Sequence, residues 1–593
     1  MLPFTSSNNN GNTKMKKSIL LIGLLISYLS YSQGFLKTQG TEIVNDNGPV
    51  LLKSIGTGNW MIQEGYMMQS SSAKINTHTQ FRKKLEIVIG EAHTKEFYNT
   101  WLANHFTKRD LDSMKSWGFN SLRVALHYKW FTVPIEEEII NSDGTFENTW
   151  LDKGFDMLDK LLSWCADNEM YLILDMHGAP GGQGKNASIS DYDASKPSLW
   201  ESEKNKKKFV ELWVKLADRY KNSIWIGGFD LINETNWNFT DSNHENGCNC
   251  KNNDDLWDLH KRLIEGIRSV NKNHIVYISG NCWGNNYESF DIHPLKQCDD
   301  NMVITFHKYW NNNRDDSIAK WLEIRDQYNM PLWMSEAGEN SNTWFSDCIS
   351  LLEKNNIGWS WWPVKKSKYN NIFKVKTDQD YKDMINSWAN NENSSKEHTF
   401  KTVMQYAENH KMENCDIGYD VIYAMIDQPG NNTTKPFKNH KWNQPILFAD
   451  YDLGRNGYAY YDEASADYHT DSGERTKWNL GGYYRNDGVD IVNENGTPYV
   501  GWTKKGEWLQ YTISVPESGL YNIEINTSAN NKSSLELEIN NSKASKIVSI
   551  PVLNTEKIKT DVNDIYLNKG ENTIKFYINS GKPKLFNFLI VKN

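Results

Sequence analysis

From residue 119 to residue 362 the chain repeats one pattern, a short and almost continuously apolar run followed by a longer stretch with helical periodicity. "FNSLRVAL" (119–126) precedes the amphipathic "WLDKGFDMLDKLLSWCADN", which leads to "YLILDMH" (171–177), and "KKKFVELWVKLADRYKN" leads to "WIGGFDLINE". "LWDLHKRLIEGIRSVNKN" then precedes "HIVYISGN", followed by "MVITFHKYW", "PLWMSEAGE" and, after the helix-like "FSDCISLLEKNN", "IGWSWWPVKK". Strands this apolar are buried on both faces, and their alternation with helices calls for parallel strands joined by helical crossovers. An α/β fold of the (β/α)8 TIM-barrel type fits the pattern, and in such barrels the chemistry gathers at the carboxyl ends of the strands.

Those ends are where the sequence departs from burial. Successive runs finish on Arg123, on Asp175 and His177, on Asn233 and Glu234, on His307 and Tyr309, on Glu336 and on Trp362. A buried, unpaired carboxylate costs several kcal/mol, so a Glu at the end of "WIGGFDLINE" either reaches solvent or has a purpose. A helix cap explains one polar strand end, but not six in order. By count Glu234 and Glu336 lie on the fourth and seventh strands, so closing the barrel sets them across one cavity. Two carboxyl groups about 5–5.5 Å apart form the arrangement for glycoside hydrolysis with retention, one as acid and base, the other as nucleophile.

"RVAL", "LDMHGAPGGQ", "LINETN", "HKYW" and "SEAGE", in that order between about residues 35 and 370, resemble the signature set of glycoside hydrolase family 5, the cellulase-type retaining barrels. The resemblance implies that Glu234 is the acid/base and Glu336 the nucleophile. It implies that Arg123 supports the nucleophile, that His177 and Asn233 line the sugar at the cleavage subsite, and that His307 and Tyr309 orient the two glutamates. Trp362, ahead of its neighbour Trp361, is implied as the platform for the sugar that bears the reacting carbon. One departure is "NET" in place of the commoner Asn-Glu-Pro, which leaves both working groups intact. Physically, the negative Glu336 across the cavity is expected to raise the pKa of Glu234, while Arg123 keeps Glu336 ionised. No metal or other cofactor is required by this chemistry.

Beyond residue 370 "SKEHTFKTVMQYAENHKMENCDIGYDVIYAMID" reads as one or two helices and "QPGNNTTKPFKNHKWNQP" as an irregular connector. From about residue 446 short alternating strands such as "GEWLQYTISV", "GLYNIEINTS" and "SLELEIN" predict an antiparallel, jelly-roll-like β-sandwich. The reading divides the chain into an N-terminal extension and signal peptide (1–32), the barrel (33–393), a helical extension and connector (394–445) and the sandwich (446–593). "DLGRNGYAYYDEASADYH", "GGYYRNDGVDI" and "VGWTKKGEWLQYTISV" resemble the family 6 carbohydrate-binding modules. Leu447, Ala449 and Asn587 stand where that family carries acidic calcium ligands, which argues against a structural calcium. "IPVLNTEKIKT" holds no aromatic residue where the family has a Trp-containing cleft loop. Tyr483, Tyr484 and Trp502 are left as glycan-stacking candidates or as sandwich core.

The N-terminal "MKKSILLIGLLISYLSYSQG", from Met15 as the start, has two lysines, an apolar run from Ile19 to Leu29 and small residues at Ser30 and Ser32, the pattern of a secretory signal peptide. The run is too short for a membrane span, so a secreted chain, free of the membrane after cleavage, is expected. Seven cysteines form no C-x-x-C pair, and Cys248 and Cys250 lack further ligands at zinc spacing, so no metal site is predicted and disulfide pairing stays open. A net charge of −9 with no basic stripe argues against nucleic acid. The 24 Trp and 29 Tyr exceed what a core requires and suit stacking on sugar rings. A monomer acting on β-glucan polysaccharide or oligosaccharide is the expected partner relation, with β-1,4-glucan first, β-1,3-glucan second because of "HGAPGGQ", and mannan third. The reading from another class, a non-catalytic glycan-binding protein on a barrel scaffold, is disfavoured by the presence of both glutamates.

Overall fold

The computed structural model describes residues 33–367, 370–392, 394–468 and 476–593. The apolar segment read as a signal peptide lies outside them, and among the described residues no helix is long and apolar enough to cross a membrane.

Eight parallel strands form the barrel, Lys53–Ile55, Ser121–His127, Tyr171–Gly178, Ile226–Asp230, Val276–Ile278, Met302–Lys308, Leu332–Gly338 and Gly358–Trp362, each paired with its neighbours in chain order. The last pairs with the first, and the ring closes where Gly56 bridges Arg123 and Thr57 N donates to Arg123 O at 3.0 Å. Every residue of the second, third and seventh strands is buried, as expected of strands covered on both faces. The helices between them bury one stripe. In Glu203–Tyr220 that stripe is Phe209, Leu212, Trp213, Leu216 and Tyr220, spaced three and four apart, and the helix starts where the Ser202 side chain accepts from Asn205 N. Each such large apolar side chain removed from water contributes about 1.5–3 kcal/mol. At the amino ends of the strands an antiparallel three-stranded sheet (Lys37–Gln39, Glu42–Asn45, Gly48–Pro49) brings Leu36 and Ile43 against Tyr171, Tyr277, Val303 and Trp333, plugging that end. The carboxyl end stays open.

Helices Gln379–Ala389, Lys396–Glu408 and Tyr419–Ile426 follow, and their Tyr381, Trp388, Tyr406, Val421 and Met425 belong to the same apolar core as the barrel. The C-terminal region is a sandwich of two antiparallel sheets, one of six strands and one of five. Burial alternates along Gly570–Ser580 and Gly519–Ala529, and the aromatic centre of the core is Phe448, Tyr511, Phe576 and Phe588, with ring centroids 4.9–5.9 Å apart.

Candidate active site

At the open end of the barrel lies a cavity of about 430 Å³. Glu336 reaches it from the seventh strand, and Glu234 from the turn just beyond the fourth. The Glu234 backbone is left-handed, with φ +41°, a conformation that non-glycine residues hold only where surrounding contacts impose it. Gln183, from the "HGAPGGQ" loop, supplies such contacts by donating to the backbone oxygens of His177 at 2.7 Å and Asn233 at 2.9 Å.

One carboxylate oxygen of Glu234, one of Glu336 and a ring nitrogen of His307 all lie within 4.8 Å of one another. His307 Nδ1 is 2.7 Å from Glu234 Oε1. Tyr309 donates its hydroxyl to Glu336 Oε1 at 2.9 Å, and Arg123 donates to Glu336 Oε2 at 2.8 Å. Arg123 and Asn233, each 1% exposed, stand behind the cavity wall. The guanidinium also bonds Asp230 at 2.8 Å and Asn233 Oδ1 at 2.8 Å and lies 3.2 Å from Asp175, while the Asn233 amide nitrogen is 3.2 Å from His177 Nε2. Trp362 lines the cavity with its ring stacked on His177 at 4.7 Å and 7°, whereas Trp361 is buried in the core.

Burial pushes the Glu234 carboxyl up to about 8, with Asp175 and Glu339 adding to the rise and Arg123 opposing it. The cause anticipated from sequence, the charge of Glu336, is not what dominates; removal from water is. Glu336 is also raised by burial and by Glu234, against the pull of His307, Arg123 and His177. Burial lowers His307 to about 4 and His177 to about 3, so both imidazoles are neutral near pH 7.

Residues 89–420 match the cellulase family, glycosyl hydrolase family 5, more than half of the chain. This chain belongs to glycosyl hydrolase family 5. It is therefore a glycoside hydrolase, and residues 482–591 of its sandwich match carbohydrate binding module family 6. Among proteins similar to this family 5 chain are a β-xylosidase of Phanerodontia chrysosporium, 24% identical over 382 residues (58% of this chain, 74% of that protein), and endoglucanase C of Acetivibrio thermocellus, 28% identical over 247 residues (40% of this chain, 59% of that protein). A probable glucan endo-1,6-β-glucosidase B of Aspergillus flavus is 23% identical over 382 residues, 58% of this chain and 93% of that protein. The chain thus spans less than two thirds of the endoglucanase. A solved β-glucanase from Saccharophagus degradans aligns over 64% of this chain and 94% of its own at 16% identity, with a TM-score of 0.37.

Several groups at the family 5 cavity were not singled out in the sequence. Glu64 and Tyr66, in the loop after the three-residue first strand, line it, as do Trp283, Trp310 and Glu339. Glu64 is held well above the ordinary carboxylate range by burial and by the charges of Glu336, Glu234 and Glu339, with Lys366 opposing the rise. Asp230, at the end of the fourth strand, is the nearest anion to Arg123 together with Glu336. A disulfide joins Cys248 to Cys282, linking the loops after the fourth and fifth strands beside Trp283. Of the aromatic candidates in the sandwich, half-buried Tyr483 and Tyr484 face the barrel across a cleft, with the Tyr484 hydroxyl bonded to Asp450 and Lys438. Trp502 is 50% exposed and lies outside that cleft.

Proposed function

We propose that this family 5 chain is an exported, retaining endo-β-glucanase that acts first on β-1,4-linked glucan, with Glu336 as nucleophile and Glu234 as acid and base. The observation that carries the reading is the carboxylate separation. One oxygen of each glutamate lying within 4.8 Å of the other supports the close spacing of a retaining pair, about 5–5.5 Å between carboxyl groups, over the about 6.5–9.5 Å of an inverting one.

In the first step a Glu336 oxygen attacks the anomeric carbon as the bond to the leaving sugar oxygen breaks, and that oxygen takes the proton of Glu234. A glycosyl ester forms. Glu234, now a carboxylate, then removes a proton from water as the water oxygen attacks the same carbon, and Glu336 leaves as the carboxylate. Arg123 and Tyr309, donating to the two oxygens of Glu336, hold the anion for attack. The charge of Arg123 is matched by Asp230 and Asp175, so it is not spent on Glu336 alone. The proton of Glu234 is available near neutrality because burial keeps its pKa at about 8. The names endoglucanase, probable glucan endo-1,6-β-glucosidase and probable glucan 1,3-β-glucosidase among the relatives support a glucan as substrate class, beside one named β-xylosidase, and leave the linkage to experiment. A panel of β-1,4-, β-1,3- and β-1,6-glucans and mannan, with the first product anomer read by NMR, tests the proposal. A β-anomer from β-1,4-glucan is expected, and an α-anomer or hydrolysis confined to mannan refutes it.

Two results are expected from the role of Glu234. On polysaccharide, kcat/KM should fall about tenfold per pH unit above about 8, because raising the pH through the pKa removes the proton that the leaving oxygen needs. With an aryl glycoside whose leaving group needs no proton, that alkaline limb should vanish from the first step; an identical limb on both substrates counts against the assignment. Glu234→Ala should correspondingly keep far more of the glycosylation rate on an activated aryl glycoside than of the rate on polysaccharide, with azide yielding a glycosyl azide of retained configuration. Equal losses on the two substrates would remove Glu234 from the role.

A further inference from the structure

The catalytic cavity has a larger neighbour on the side of Trp310 and Glu339. A cleft of about 1160 Å³ runs between the barrel and the sandwich, and Trp310 and Glu339 line both it and the catalytic cavity. The wall they share is fixed. Glu339 accepts from Lys366 Nζ at 2.6 Å, Lys366 lies 5.4 Å from the Tyr66 ring centroid, and the Trp310 ring is 5.2 Å from that of Tyr309.

The cleft is no gap between loosely tethered bodies. Three residues after Glu336 begins the loop on which the sandwich is docked. Asn340 exchanges hydrogen bonds with the Asp467 backbone at 2.8 and 2.9 Å, and Asn486 donates to Asn340 O at 2.9 Å and to Asn342 Oδ1 at 3.1 Å. Asp420 accepts from Asn486 N at 2.7 Å and from Asn342 Nδ2 at 3.1 Å. Asn340, Asn342 and Asn486 are buried, so pulling the two bodies apart would strip these groups of partners, at about 1–3 kcal/mol for each that stayed buried.

The lining chemistry is that of a neutral polyol. Aromatic faces come from both walls, Tyr419 from the barrel side and Phe437, Trp478 and Tyr483 from the connector and sandwich. Tyr419 is 58% exposed. The lysines of the cleft are matched by carboxylates, Lys374 with Asp420 at 3.4 Å, Lys376 with Asp416 at 2.9 Å and Lys438 with Asp450 at 2.9 Å. An anionic ligand would have to break those pairs, whereas sugar hydroxyls bond to their remaining donors and acceptors while ring faces stack on the aromatics. A pocket for a drug-sized ligand measures about 300–1,000 Å³, and this cleft exceeds that range.

We infer that the cleft between barrel and sandwich is a continuation of the catalytic site and takes further sugar units of the same glucan chain, so that the C-terminal module forms part of the substrate groove. The inference rests on the β-glucan reading above and extends it: chain length, not only linkage, is recognised, and recognition crosses the domain boundary.

The test uses the full chain and β-1,4- and β-1,3-linked gluco-oligosaccharides of two to six units, with 4-nitrophenyl β-cellobioside as the short substrate. In the linkage that is cleaved, kcat/KM should rise at least tenfold from trisaccharide to hexasaccharide. Tyr419→Ala and Tyr483→Ala, one on each wall, should each lower the ratio of hexasaccharide to aryl cellobioside kcat/KM at least fivefold, with the thermal midpoint near that of the wild type. Tyr566→Ala, at an exposed ring on the sandwich outside the cleft, should leave the ratio as it is. A flat dependence on chain length in the wild type, or equal losses on short and long substrates in the variants, overturns the inference while the glucan reading stands. Absence of turnover on every one of these substrates refutes the β-1,4- and β-1,3-glucan reading on which the inference rests, and the inference falls with it.

Discussion

Under the proposed function, Glu336→Ala is expected to lower β-glucan hydrolysis at least about 10³-fold, a loss of ~4 kcal/mol in transition-state stabilisation. The side chain is 5% exposed, faces the cavity, and is held by Arg123 and Tyr309 in one orientation, so no neighbouring group replaces it as the attacking oxygen. Of the other carboxyls at the cavity, Glu234 is bonded to His307 and raised to about 8, Glu64 is raised by burial and by the neighbouring carboxylates, and Glu339 is held by Lys366. The fold should survive. Arg123 keeps Asp230, Asn233 and the nearby Asp175, so its charge remains paired after the glutamate is gone, and the thermal midpoint should stay close to that of the wild type. Azide or formate, filling the space left by the carboxylate, should restore part of the turnover of an activated aryl glycoside with inverted product, which NMR reads directly. A variant that keeps more than a tenth of wild-type activity would show that Glu336 is not the nucleophile.

Arg123→Ala has the other large effect, and on stability as well as on rate. Its guanidinium is 1% exposed and lies 2.8–3.2 Å from Asp230, Glu336 and Asp175, so truncation leaves three buried carboxyls without their cation. Removing one partner from such a buried cluster costs about 3–5 kcal/mol. The loss should depend on pH in a definite direction. Burial already raises Asp175 and Asp230 from the ordinary 3.8 to about 6 despite the opposing pull of Arg123, so the folded state binds protons more tightly than the unfolded one. A carboxyl with a raised folded pKa lowers stability as pH rises through the interval between the two values, here from about 4 to about 6. Without Arg123 the upper end of that interval moves higher, so the deficit relative to the wild type should be smallest near pH 4 and grow toward neutrality. Denaturant midpoints at pH 4, 5.5 and 7 would show it. Arg123→Lys keeps one charge but not the planar fork that reaches four groups at once, and should recover stability better than activity. A deficit that is constant with pH would mean that the carboxyls find other partners.

Seven of the eight barrel strands are readable as apolar runs, and the strand-end chemistry follows because a carboxylate or imidazole after such a run conflicts with burial. Glu234, Glu336, His307 and Tyr309 meet as their positions on the fourth, sixth and seventh strands require. The first strand, Lys53–Ile55, is only three residues long and has no periodicity to detect. Glu64, Tyr66 and Trp310 arrive from loops in which neither apolar period nor turn signal says where a side chain will point; Trp310 and Glu234 even hold left-handed backbones that only their surroundings maintain. Asp230 gave no signal because one acidic residue inside an apolar run looks the same whether it faces solvent or a buried arginine.

Local periodicity and strand-end polarity, both written within a few residues, determined the alternation of strand and helix, the barrel, the sandwich and the pair of glutamates. Tertiary structure alone decided the quantities that depend on surroundings. Burial rather than the partner carboxylate raises the pKa of Glu234, because the cost of a charge is set by how much water the whole assembled barrel excludes. The seating of the sandwich rests on Asn340, Asn342, Asp420 and Asn486, common polar residues whose partners lie up to 146 positions away. A cleft that shares Trp310 and Glu339 with the catalytic cavity exists only once the two apolar cores are set against each other, and no pattern within either core encodes that placement.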